Sequence, residues 1–124
     1  MPTLKFTDQH EWLLIDGVTA RVGITGYAQG QLGDVVFVEL PDSGTHFKLG
    51  DEAAVVESVK AAAEVYAPAS GEITNTNTEI ENNPEIVNTD PQGIGWFFEM
   101  RLSDISETET MMDEQGYKKF ISEL

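Results

Sequence analysis

Apolar and polar residues alternate over residues 17–24, where Val18, Ala20, Val22 and Ile24 fall on one face, and this period of two predicts a half-buried strand. Residues 34–40 are rich in β-branched and aromatic side chains and stop at Pro41, which predicts a second strand. Between the two, Thr25 is placed to cap a short helical turn that Gly33 ends. Turn residues mark both ends of residues 41–52, and a further turn at residues 68–71 leads into a strand. Asn83 followed by Pro84 predicts a capped single turn of helix. Residues 95–102 read as a late strand with Trp96, Phe98, Met100 and Leu102 on one face. Tyr117, Phe120, Ile121 and Leu124 recur at helical spacing, which predicts an amphipathic C-terminal helix docked on the rest. Many short strands between Gly and Pro turns, closed by a helix, predict a mainly β sandwich or flattened barrel. With no linker, low-complexity tract or long-period repeat, residues 1–124 are expected to form a single domain.

One stretch resists this reading. Residues 53, 54, 61, 62 and 63 are alanine, and Glu57 and Glu64 stand at helix-pairing distances on either side of Lys60. Val55, Val56, Val59, Val65 and Tyr66 favour strands instead. Local propensity leans towards one helix; two strands and a tight turn would fit the same length.

Composition and charge narrow the function. The 124 residues are 40% hydrophobic and 23% charged, an ordinary globular mix, and they include no cysteine for a disulfide, a thiolate nucleophile or a Cys-based metal site. Seven Lys and Arg against 22 Asp and Glu give a net charge of −15, which repels nucleic acid and anionic membrane alike. No apolar run approaches the roughly 20 residues of a membrane span, and the N-terminus lacks a signal's apolar region, so a cytoplasmic location is the simplest expectation. Monomer is the default expectation. His10 and His46 lack metal-site spacing, and no nucleophile elbow, P-loop or dinucleotide fingerprint occurs. An enzyme with its own active site is therefore not expected.

Between Leu49 and Tyr117 the only cations are Lys60 and Arg101. A lysine that acts as a base or nucleophile needs burial or a neighbouring cation, whereas Lys60 has glutamates on both sides. The role left to it is that of a lysine modified by another enzyme on an exposed turn.

The motifs are then specific. "HEW" (10–12), "VGITGYAQGQLGDVVFVELPDSG" (22–44), "ESVKAAAEVYAPASGEI" (57–73), Asn77, "NPEIVNTDP" (83–91) and "GW" (95–96) together resemble the H proteins of the glycine cleavage system over nearly the whole chain. Two positions depart from the usual pattern: Ala63 and Gln9 stand where small polar residues are common. Biotin carriers differ, with methionine on both sides of the lysine where this chain has Val59 and Ala61.

The resemblance implies a lipoyl-domain-like flattened barrel or sandwich of two antiparallel sheets with short helices and a C-terminal helix. Residues 51–73 become a hairpin with Lys60 at its tip, the valines at 55, 56, 59 and 65 anchoring its legs, and Ala61 and Ala62 keeping the tip uncluttered. It implies a non-catalytic carrier with lipoic acid attached covalently to Lys60. The arm would take the aminomethyl group of glycine from the glycine decarboxylase (P protein) to the aminomethyltransferase (T protein). Dihydrolipoyl dehydrogenase (L protein) would reoxidise it, and a lipoate ligase or lipoyl/octanoyl transferase would install it. Glu11 and Glu64 are the implied contacts for the cationic aminomethyl arm; Glu57 and Ser58 are implied in recognition by the lipoylating enzyme. The alternative is an H-like relay platform for lipoyl groups in protein lipoylation.

Overall fold

The computed structural model describes residues 2–124. Its strands are β1 (Thr3–Phe6), β2 (Glu11–Asp16), β3 (Thr19–Ile24), β4 (Val35–Glu39), β5 (His46–Phe47), β6 (Glu52–Ser58), β7 (Ala62–Tyr66), β8 (Gly71–Thr76) and β9 (Phe98–Leu102). The helices are α1 (Gly26–Leu32), α2 (Thr78–Asn82), α3 (Ile86–Thr89) and α4 (Glu114–Ser122). Six strands form one sheet in the order β1-β2-β3-β9-β8-β5, and three form the other in the order β4-β6-β7. Every pairing is antiparallel. Both sheets keep free edges, so the arrangement is an open sandwich and not a barrel. Among the described residues no helix is long and apolar enough to cross a membrane.

The predicted strands carry the main core. Ala20, Val22 and Ile24 from β3, Val35 and Val38 from β4, Ala54 and Val56 from β6, Val65 from β7, and Phe98, Met100 and Leu102 from β9 are buried in one cluster. Val18 lies before β3 and is exposed. Phe97, which precedes β9, is fully buried, while Trp96 is only half-buried and stacks under the Arg21 guanidinium at 4.7 Å. Trp96 therefore does not share the β9 face that the alternation predicted.

A second cluster of Phe6, Trp12 and Tyr117 fixes α4 to the outer end of the large sheet, with Phe6 and Tyr117 stacked at 4.6 Å. Leu124 lies beyond the helix and is exposed, so only Tyr117, Phe120 and Ile121 serve the docking face. Thr25 caps α1 as predicted, accepting from the Ala28 amide at 3.2 Å, and Gly33 ends the helix. Asn83 caps no helix start: it closes α2, and α3 begins after Glu85.

Strands β1 and β2 were not predicted. Glu11, Trp12 and Leu13 are buried in succession, so β2 shows no clean alternation at its start. Trp12 lies opposite Gly23 in the β2–β3 register, and a Cβ at Gly23 would come within 2.7 Å of the indole nitrogen. The indole is buried and donates to the Pro91 carbonyl at 3.0 Å, which holds it in place. Gly23→Ala is expected to cost about 1–3 kcal/mol by overpacking, read as a lower urea midpoint with an unchanged slope.

Candidate functional site

The alanine-rich segment is a β-hairpin. Strands β6 and β7 pair from Glu52 opposite Tyr66 to Glu57 opposite Ala62, which overturns the helical lean of local propensity. Period two explains the outcome: Ala54, Val56 and Ser58 are buried while their neighbours are half-buried or exposed. Tertiary burial of this face outweighs alanine's helix preference, whose advantage is only a few tenths of a kcal/mol per residue.

Lys60 sits at the exposed tip, in the turn between Ser58 and Ala61. Ser58 closes that turn. Its amide donates to the Ala61 carbonyl at 2.7 Å, and its hydroxyl accepts from the amides of Lys60 (3.3 Å) and Ala61 (3.1 Å). Ser58 is itself buried. The tip rests on the α1–β4 connection, with the Val59 amide donating to the Asp34 carbonyl at 3.1 Å. Gly33 lies under the lysine stem: a Cβ there would meet Lys60 Cε at 3.5 Å. Gly33 has φ 82° and ψ −156°, a region that a side chain disfavours. Asn88 pins this platform, donating to Gln29 Oε1 and to the Gly33 carbonyl, both at 2.9 Å, and accepting from the Val35 amide at 2.8 Å.

Among the described residues Lys60 makes no ion pair; the one such contact is Arg21–Glu99. Glu57 lies opposite Ala62 and Glu64 opposite Val55, so neither occupies the helical pairing position that spacing alone suggested. Val56 and Val65 anchor the hairpin legs in the core and Val55 is half-buried. Val59 is 71% exposed at the tip and anchors nothing. Ala61 and Ala62 are exposed.

Beside the hairpin runs a cleft of about 250 Å³ between β7, the His10–Glu11 segment and α1. It brings together Glu11 and Glu64, far apart in sequence, with Ala63, Tyr27 and Leu32 among its walls. Gln9 lines it too, so both positions that depart from the common pattern face the same space. Glu11 also borders an adjoining groove of about 360 Å³ against Tyr66 and Pro68.

Glu11 is only 3% exposed. Its Oε1 accepts from the Thr7 hydroxyl at 2.9 Å and its Oε2 from the Tyr66 amide at 3.2 Å. Burial pushes its pKa up to about 7, against the pull of those two hydrogen bonds, and Asp8 adds to the rise. Glu64 is exposed at the cleft's rim.

His10, weighed in the sequence only as a metal ligand without partner spacing and as part of the HEW motif, also lines this cleft. Its φ of 67° is the one positive value among described non-glycine residues. Its ring packs on Tyr27 at 4.6 Å, and Nδ1 lies 2.7 Å from the Tyr117 hydroxyl, which is 2.7 Å from Thr25 Oγ1. Burial lowers the His10 pKa, partly opposed by Asp8. The cleft wall is thus tied to α4 and to the cap of α1 through a single hydroxyl. His46 is exposed, and among the described residues no group of three His, Asp or Glu side chains is placed to hold a metal.

An open two-sheet sandwich that presents a lysine on an exposed hairpin tip, beside a mainly apolar cleft bordered by two glutamates, is a lipoyl-domain-like fold. Comparison with known proteins is specific. The family model described as glycine cleavage H-protein matches residues 4–124. The glycine cleavage system H protein of Parvibaculum lavamentivorans is 56% identical over 124 residues, covering 100% of this chain and 99% of that protein. The H protein of Thermotoga maritima is 50% identical, covering 99% of each chain. A crystal structure of the H protein from Mycobacterium marinum superposes with a TM-score of 0.87 at 34% identity, covering 96% of each chain. This chain belongs to the glycine cleavage H-protein family.

Proposed function

We propose that residues 1–124 act as one carrier unit in the cytoplasm, with lipoic acid joined as an amide to Lys60 Nζ. The observation that carries this reading is the exposed Lys60 on a closed, docked turn beside a cleft that holds Glu11 and Glu64. The site fits the group: the lysine is exposed and makes no ion pair among the described residues, and bare backbone at Gly33 leaves room along its stem. Held on Lys60, the lipoyl arm would supply a dithiolane able to carry the aminomethyl group of glycine between the decarboxylase and the aminomethyltransferase, with dihydrolipoyl dehydrogenase as the enzyme that would reoxidise it.

The chain's own residues attach, orient and shield. Ser58 fixes the turn, so that a lipoate ligase or transferase meets a preformed backbone, and Glu57 beside it offers that enzyme a charge. Glu11 and Glu64 attract the cationic aminomethyl end into the cleft, where Tyr27, Leu32 and Ala63 keep water away. Glu11 is the stronger contact because its oxygens are buried and already oriented, and a cation beside it favours the carboxylate over the acid form that burial otherwise holds up to about pH 7. No step of bond making is assigned to the chain itself.

Incubation with a lipoate ligase, lipoate and ATP should add one lipoyl mass, and peptide mapping should place it on Lys60. Modification elsewhere, or none on folded protein, would overturn the carrier reading. Glycine-dependent CO2 exchange with a glycine decarboxylase then separates an aminomethyl shuttle, which supports exchange, from a lipoyl relay, which does not.

A further inference from the structure

Strand β4 shows two outward apolar residues in succession, an arrangement a regular strand does not produce. Val35 and Val38 are buried, while Val36 is 54% and Phe37 is 48% exposed. The cause is an irregularity in the β4–β6 ladder: Val35 pairs with Ser58 and Phe37 with Glu57, so Val36 is the extra residue of a bulge. Strand β4 is also an edge of the small sheet, and this face has no covering element among the described residues. Register places the pair of side chains opposite Glu57 and Ser58, which lead directly into the exposed Val59 and Lys60. The Asp34 carbonyl holds Val59 at the other end of the same strip. Exposed Asp34, Glu39 and Glu57 lie along it by register, and Lys60 follows Val59 in the turn.

We infer that Val36, Phe37 and Val59 form the docking surface for the enzyme that acylates Lys60, which should offer an apolar socket rimmed by basic side chains. The inference rests on Lys60 being the attachment site. Reach chooses the occupant. Enzymes that act on the tip of an installed arm can work at a distance from the lysine. The acylating enzyme must bring an activated acyl carbon to Nζ itself, so its surface has to cover whatever flanks the turn. There Nζ forms the amide bond, the bond from the acyl carbon to its activating group breaks, and the amine's proton leaves with that group. The acidic edge selects a basic partner, and its rate of encounter should fall with added salt. Asn88 holds the backbone on both sides of Asp34, and the Asp34 carbonyl takes the Val59 amide, so the bulged strand and the lysine turn keep a fixed relation and the surface is preformed.

The test compares kcat/KM for lipoylation by a lipoate ligase, followed by intact mass, in Val36→Thr/Phe37→Ser and in Val59→Thr. All three side chains are exposed, so urea midpoints should stay near the parent's. The double variant should lose at least tenfold, mostly through KM, while Phe37→Leu keeps most of the parent rate. Ile94→Ser, which removes an exposed apolar residue lining a separate groove, should lose nothing. Unchanged lipoylation of the double variant would overturn the inference. An equal loss in Ile94→Ser would overturn it as well. Normal lipoylation followed by failed CO2 exchange would assign the surface to the decarboxylase instead. If the parent protein takes no lipoyl group, the carrier reading fails too, and the parent reaction alone tells the two failures apart.

Discussion

Lys60→Arg is expected to abolish lipoylation and reduce glycine-dependent CO2 exchange to background, with the fold intact. Arginine keeps a positive charge and a long stem, but its guanidinium is not a substrate for amide formation at neutral pH. Lys60 is exposed, and among the described residues it makes no ion pair, so stability should change by no more than about 0.5 kcal/mol. Loss of exchange with an unchanged urea midpoint therefore isolates the chemistry of the amine. Free lipoamide should restore exchange only at concentrations on the order of millimolar, because tethering supplies effective concentrations of that size. Exchange at the parent rate in Lys60→Arg would remove Lys60 from the mechanism.

Glu11→Gln should have two opposite effects, and their pairing is the diagnostic result. The folded chain holds a proton on Glu11 up to about pH 7, whereas the unfolded chain releases it near 4.5, the ordinary value for a glutamate. Between those values the folded state binds more protons, so this group's contribution makes the protein less stable as pH rises through the window. The full difference is about 3 kcal/mol, at 1.36 kcal/mol per unit. Glutamine keeps the shape without the charge. The variant should gain stability relative to the parent on going from pH 5 to pH 8, measured by urea midpoints at both values. It should also lose the carboxylate that the proposed function sets against the cationic arm. A hydrogen bond to a charged group is worth about 1.5–3 kcal/mol, so aminomethyl loss from the loaded arm should quicken roughly tenfold to a hundredfold. A variant that is stabilised at pH 8 but decays at the parent rate would leave Glu11 as a costly buried acid with no part in shielding.

That tension explains how much of the site was legible in the sequence. Strands β3, β4 and β9 showed themselves through period two or β-rich composition, and α1 through its cap and its terminal glycine. The lysine hairpin did not, because alanine's preference is local while the burial of Ala54, Val56 and Val65 comes from the opposite sheet. Strand β2 was hidden by three buried residues in a row, one of them a glutamate. Glu11 and Glu64 were suggested by motif position, but only folding brings them to one cleft. The contacts of Asn88 and Tyr117 join residues 53 to 107 positions apart, and no short-range pattern encodes such a pair. The bulge at Val36 is likewise a property of two strands in register, although "DVVFVEL" contains both residues it turns outward.

The isolation of Lys60 has a consequence for the charge state of the protein. Because no carboxylate pairs with the amine among the described residues, acylation breaks no ion pair and strands no partner. Amide formation removes one positive charge, taking the formal net charge from −15 to −16. A cationic aminomethyl load adds one back and returns it to −15, now with the charge carried at the arm's end. The bare and loaded forms thus match in total charge and differ in where one charge sits, while the empty lipoylated form stands one unit apart. A partner with a basic surface would meet the empty form in its most anionic state.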